Sequence, residues 1–309
     1  MSVLCSLYTP VAALFWALSV LSCIFAAVSP HLQSATSYGG LRGKAAGRGK
    51  PAFPLLASLP TVPTQVAFGS FYATLLTLTA AGITLHIMYL PSAEGNSSPS
   101  YHSMLLAPLA LACHGARRLY EVMCVHVFSS TSHVPVVTWV AGLAFYVFVS
   151  LAWAHNPILC ATPISHVPLI EPVPLSSSSH TSVAQSVAGD LSHTSGLQAL
   201  ACLVFLICNI VQHRCHVALA DLRRQTIVRT YSYPSTNLFF RACTCPHYSA
   251  ECCLYGSALF LVCPEARWAI LSALLFTCAN LTVTATHSLK AYQERSMQVP
   301  PYCILPGVW

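Results

Sequence analysis

The sequence predicts an all-α protein: a polytopic membrane helix bundle with about seven transmembrane helices. Three observations predict it. Charged residues make up 7% of the 309-residue chain and hydrophobic ones 55%, where a soluble domain carries about 25% charged residues. Mean hydropathy is +0.63. The apolar residues also fall into runs long enough for the hydrocarbon layer, which a helix crosses in about 20 residues. A soluble chain of this length could bury a large core, but could not coat its surface with so few charges.

The spans follow in order. Residues 10–28, within "MSVLCSLYTPVAALFWALSVLSCIFAAVSP", read as a retained first span. The alternative is a cleaved signal peptide, but the segment opens without Lys or Arg and its apolar stretch is long for that role. The other spans are 66–90, 103–124, 134–154, 196–212, 248–263 and 268–286. The fifth and sixth are short and the third carries charge, so a six-span count stays open. The whole chain, 1–309, reads as one integral membrane domain. Residues 155–195, with "SSSSHTSVAQSVAGD", cannot bury enough apolar area to offset ordering entropy. They read as a flexible lumenal loop with solvated histidines.

Orientation follows from Lys and Arg, which cytoplasmic loops carry in excess. With seven spans, every Lys and Arg except Arg267 maps to one side, from Arg42, Lys44, Arg48 and Lys50 through to Lys290 and Arg295. That puts the N-terminus in the lumen and the C-terminus in the cytosol. The sequon at Asn96 falls in an expected lumenal loop, in agreement.

The third span contains "HGARRLYE". On a helix His114, Arg117, Arg118 and Glu121 are three, four and seven residues apart and share one face. Ionisable groups at membrane depth cost several kcal/mol unless paired or facing a wet cavity. Glu121 can pair with either arginine one turn back. The competing reading is a helix end that snorkels its arginines to the interface; the added His and Glu favour an internal polar pocket. A second polar stretch, "QHRCHVALADLRRQTIVRTYSYPSTNLFFRACTCPHYSAE", spans 212–251. Gln212 and His216 recur at helical spacing, followed by Arg223, Arg224 and Tyr231. These donors suit a phosphate-bearing ligand, or else a basic loop against anionic lipid. No Rossmann or P-loop signature occurs, so any nucleotide would bind within the bundle, and no nucleic-acid partner is expected.

Most of the 15 cysteines sit singly in apolar runs, where Cys acts as a small apolar residue. Cys243, Cys245, Cys252 and Cys253 cluster, but without the CxxC pairs of a zinc site. No metal is expected.

Taken together, "CHGARRLYEVMCVHVFSS", "QHRCHVALADLRR" and "CPHYSAE" resemble the steroid 5-alpha-reductase family, and within it the polyprenol (polyprenal) reductase branch. "YGG" at 38–40 and "VPTQVAFGSFY" at 62–72 echo the same branch. The resemblance covers most of the chain outside the lumenal loop. It implies a multi-pass enzyme of the endoplasmic reticulum membrane that binds NADPH in a C-terminal region, 196–309, and acts on a long-chain polyprenyl lipid in dolichol synthesis for protein N-glycosylation. Carried over by position, Gln212, His216, Arg223, Tyr231, His247 and Glu251 match cofactor-holding residues, as do His287 and Tyr292 near the end. His287 stands five residues before that Tyr, where relatives have three or four, and "VPPYCILPGVW" replaces the usual closing segment.

The chemistry constrains the substrate. Hydride reduction of a C=C needs a place for negative charge, which an isolated allylic alcohol lacks and a conjugated aldehyde has. The expected substrate is therefore the polyprenal, with His114, Arg118 and Glu121 as the catalytic group that stabilises the developing oxyanion and supplies protons. Within the family a 3-oxo-4-ene steroid or a trans-2-enoyl thioester would serve the same logic. Outside it, a transporter or a homologue without turnover is the alternative.

Overall fold

The computed structural model describes residues 14–19, 21, 60–89, 105–155, 196–225, 232–262 and 266–304. The lumenal-loop expectation at 156–195 and most of the first span lie outside them.

Strand β1 (Thr61–Pro63) leads directly into helix α1 (Thr64–Tyr89). Helix α2 (Leu106–Tyr120) continues into a π-helical turn, Glu121–Val125. After strand β2 (His133–Pro135) comes α3 (Val136–Ser150), which also ends in a π-helical turn, Leu151–His155. Helices α4 (Gly196–Gln225), the short α5 (Leu238–Ala242), α6 (Pro246–Ala258) and α7 (Arg267–Gln293) complete the described architecture.

Four of these, the spans starting at Thr64, Val136, Gly196 and Arg267, are long and apolar enough to cross a bilayer. Helices α2 and α6 form where the third and sixth spans were expected, but α6 has only 13 residues, about 20 Å of rise. Helix α4 differs most from expectation. The apolar run ends near 212, yet the helix continues through "HRCHVALADLRRQ". Its two faces explain this: Ala201, Phe205, Cys208, Gln212, Cys215 and His216 are buried, while Leu203, Leu206, Ile207 and Ile210 face outward. The outward face is apolar, which suits lipid, while the polar side chains Gln212 and His216 turn inward among apolar neighbours.

The expected spans did not include a sheet. β1 and β2 pair antiparallel, Thr61 opposite Pro135 and Pro63 opposite His133. The Thr64 amide donates to the Ser132 carbonyl, and the Val136 amide to that of Pro60, each at 3.0 Å. Both strands end in a proline at the mouth of a helix, where a missing N–H costs nothing. The clip ties the starts of α1 and α3 together.

Aromatic rings fill the core. Trp16 meets Phe145 edge-on at 5.5 Å, and Trp153 lies between Phe205 and Tyr255 at 6.1 and 6.2 Å. The α1–α3 seam depends on Gly142, where an added Cβ would stand 2.6 Å from Phe71 Cε1. Phe71 is buried and stacked on Tyr146 at 5.6 Å, so it has nowhere to retreat. Gly142→Ala is expected to destabilise the protein by about 1–3 kcal/mol through overpacking, read as a lowered thermal midpoint in detergent; an unchanged midpoint would mean the seam is looser than described.

The divergent closing segment is ordered against the start of α6. The amides of Thr244 and Cys245 donate to the carbonyls of Tyr302 and Cys303 at 2.8 and 2.9 Å, and the Ser249 hydroxyl donates to the Ile304 carbonyl.

Candidate active site

The ionisable face of α2 points inward. His114, Arg118 and Glu121 are 2%, 8% and 0% exposed, so the snorkelling alternative does not describe them. Glu121 lies at the first position of the π-helical turn, a widened turn that is common at functional sites. It is the centre of the cluster. Arg117 donates to its Oε1 and Arg118 to its Oε2. From α4, His213 Nδ1 stands 2.9 Å from Oε1 and His216 Nδ1 2.8 Å from Oε2.

Arg117 also donates through Nε to Asn209 Oδ1 at 2.9 Å and through Nη2 to Gln212 Oε1. The Gln212 amide in turn donates to Glu251 Oε2 on α6. His114 Nδ1 is 3.0 Å from Asn209 Oδ1, and its Nε2 faces Glu251 Oε1 at 3.8 Å. Two guanidiniums thus meet two carboxylates, so the buried group balances its formal charge, the condition for keeping ions at this depth. Arg118 Nε and Nη2 both donate to the Tyr72 hydroxyl on α1, at 3.0 and 2.8 Å.

His247 extends the cluster. Its ring lies 5.4 Å from that of His216, and it shares a face of α6 with Glu251, four residues on. Its Nδ1 is buried without a hydrogen-bond partner among the described residues.

Arg223 stands at the exposed end of α4, donating through Nη1 to the Val127 carbonyl at 3.0 Å, while Arg224 donates to that of Val125 at the same distance. The pair caps the chain leaving α2 with positive charge, where helix carbonyls collect. Tyr231 lies outside the described residues. The structure puts Tyr292 at the end of α7, buried with its ring 5.1 Å from Tyr233, and leaves His287 half-buried on the same helix.

Sequence reasoning assigned no role to Asn209, His213 and Tyr72. Asn209 precedes Gln212 and His216 by three and seven residues, so a lone amide within "LVFLICNIV" was the available signal. Tyr72 is 46 residues from Arg118 in sequence, and nothing local marks it.

A trio of Glu121, His126 and His216 has ligand atoms within 4.8 Å of one another. Both oxygens of Glu121 are held by guanidiniums, so a cation there would face two like charges. The cysteines of the 243–253 segment are free thiols, two buried, one half-buried and one exposed.

The family described as 3-oxo-5-alpha-steroid 4-dehydrogenase matches residues 177–309. A Caenorhabditis elegans protein named polyprenal reductase is 30% identical over 296 residues, spanning 87% of this chain and 85% of its own. Polyprenal reductase 1 of Arabidopsis thaliana is 27% identical over 313 residues, 95% of each chain. The Saccharomyces cerevisiae polyprenal reductase is 27% identical over 197 residues, 63% and 61% of the two chains. A helical membrane bundle whose three motif segments close on one buried cluster, with relatives of near full length, establishes its kinship: the chain belongs to the steroid 5-alpha-reductase family, on the branch that its polyprenal reductases occupy.

Proposed function

We propose that this protein is an NADPH-dependent polyprenal reductase, saturating the α-isoprene C=C of a long-chain polyprenal in dolichol synthesis for N-glycosylation. The observation that carries this reading is the convergence of α2, α4 and α6 on Glu121 and Glu251. The names of the near-full-length relatives support the substrate class. The asymmetry of Lys and Arg supports a multi-pass protein with its N-terminus away from the cytosol, and the family resemblance implies the endoplasmic reticulum membrane.

The residues fit a reduced nicotinamide. The unpartnered Nδ1 of His247 and the Glu251 carboxylate offer hydrogen-bonding groups to a carboxamide, beside Gln212 and His216. Arg223 is exposed and spends one N–H on a carbonyl, which leaves donors for phosphate. When bound, NADPH supplies the hydride; the chain's own residues position, shield and neutralise. Reduction at the β carbon pushes an electron pair onto the aldehyde oxygen. Arg118 brings positive charge and His114 a ring nitrogen beside the apolar core where that oxygen would sit, Glu121 orients the guanidinium, and the surroundings exclude water.

The test offers purified protein NADPH with polyprenal or polyprenol. NADPH oxidation with the aldehyde, giving the α-saturated product, is expected to outpace that with the alcohol. Failure with both, and no rise in thermal midpoint at millimolar NADPH, would overturn the reading. Arg223→Ala is expected to weaken NADPH binding about 10- to 100-fold, the value of a charged hydrogen bond, with KM for the lipid unchanged. Unaltered NADPH affinity would remove Arg223 from the site.

A further inference from the structure

We infer that the polar end of α4 and the start of α5 form a site for one membrane phospholipid with a primary-ammonium headgroup, its phosphate on Arg214 and its ammonium on Asp221. The site lies on the outer face of α4, away from the buried cluster, and does not depend on the reaction proposed there.

The outer face of α4 changes character within one turn. Leu203, Ile207 and Ile210 are exposed on it. Four residues beyond Ile210, about 6 Å of rise, the same face carries Arg214, which is also exposed. Two turns farther comes Asp221, half-exposed. A cleft of about 310 Å³ opens there, between Arg214, Val217 and Asp221 of α4 and Leu238 and Phe239 of α5. That is the small end of the range for small-molecule sites, about 300–1,000 Å³. Leu238, an apolar side chain at its rim, is 73% exposed.

Arg214 is available for an anion. The other arginines of α4, Arg223 and Arg224, donate to the carbonyls of Val127 and Val125, and Arg224 also donates to Asp221 Oδ1 at 3.1 Å. Arg214 has no hydrogen bond or ion pair among the described residues. A guanidinium presents a planar fork that matches phosphate oxygens. Asp221 spends Oδ1 on Arg224 and keeps Oδ2 for a second donor.

Order along the helix selects the occupant. From the hydrocarbon outward, a phospholipid presents acyl chains, then phosphate, then an amine two carbons on. Helix α4 presents Ile210, Arg214 and Asp221 in the same order. Arg214 and Asp221 start about 10 Å apart along the axis; the long arginine stem closes much of that gap, and the headgroup bridges the rest. Charge then selects the headgroup. A serine headgroup would set its carboxylate against Asp221. A trimethylammonium has no N–H to donate and is held by cages of aromatic rings, whereas Phe239 is the one ring lining this cleft. A primary ammonium brings three N–H donors to the carboxylate.

The test places the full-length protein in detergent micelles doped with dioleoyl phosphatidylethanolamine, phosphatidylcholine or phosphatidylserine at equal mole fraction. Native mass spectrometry counts the lipid retained, and the thermal midpoint reports its binding. We expect one ethanolamine lipid per chain, held about tenfold or more tightly than the choline lipid, the value of a charged hydrogen bond. Arg214→Gln should abolish the rise in midpoint that this lipid gives. Asp221→Asn should erase the preference for ethanolamine over choline. Both side chains are exposed, so the lipid-free midpoints should match that of wild type. No retained lipid, equal retention of all three, a tighter hold on the serine lipid, or an ethanolamine preference that survives either substitution overturns the inference. Should a variant not fold, wild-type protein decides the matter with a series of N-methylated ethanolamine lipids. Affinity should fall as each methyl group replaces an N–H; a flat series overturns the inference.

Discussion

Glu121→Gln is expected to lose most of its folded protein. The carboxylate is fully buried and, among the described residues, is the one acidic group bonded to both guanidiniums of α2. The amide keeps the shape and removes the charge, so the two guanidiniums strand positive charge against a single remaining carboxylate, Glu251, and one acceptor oxygen becomes an NH2 group facing guanidinium donors. Breaking a buried pair from one side costs about 3–5 kcal/mol, a large share of the stability of most proteins. The measurement is yield and thermal midpoint after extraction in detergent. Adding Arg117→Gln should recover part of the loss, because it removes one of the stranded charges. A single variant with normal abundance and midpoint would mean that the cluster holds its charge by other means.

The second large effect is on turnover. Arg118→Lys preserves the charge, yet an ammonium on a flexible stem cannot reproduce a planar fork that serves Tyr72, Glu121 and His216 together. We expect the variant to fold, to bind NADPH, and to turn over polyprenal about 100-fold more slowly or worse. Wild-type kcat in Arg118→Lys would show that charge alone suffices and that the fork geometry is dispensable.

The face of α2 was legible because four ionisable residues at spacings of three, four and seven stand out in an apolar run. Their partners on α4 and α6 were legible as motifs, and the contacts of Gln212, His216 and Glu251 agree with that grouping. The length of α4 was not. A hydropathy run reports how much of a helix lies in lipid, and residues 213–225 are helical while turning polar groups toward α2. Strands of three residues and widened helical turns leave no periodicity to find. Tyr72 and Asn209 are single polar side chains whose partners are remote in sequence. Tyr292, matched by position near the end of the chain, packs on Tyr233 at the end of α7.

The ladder between residues 61–63 and 133–135 stitches one seam of the bundle at its mouth, and Phe71 lies across Gly142 farther along it. A seam fastened at the end and shut along its length gives no slot into the surrounding lipid. On the proposed reading, a string of isoprene units whose aldehyde lies at the buried cluster trails out through a different flank. What parts to admit it is then that flank, because α1 and α3 are joined at both points.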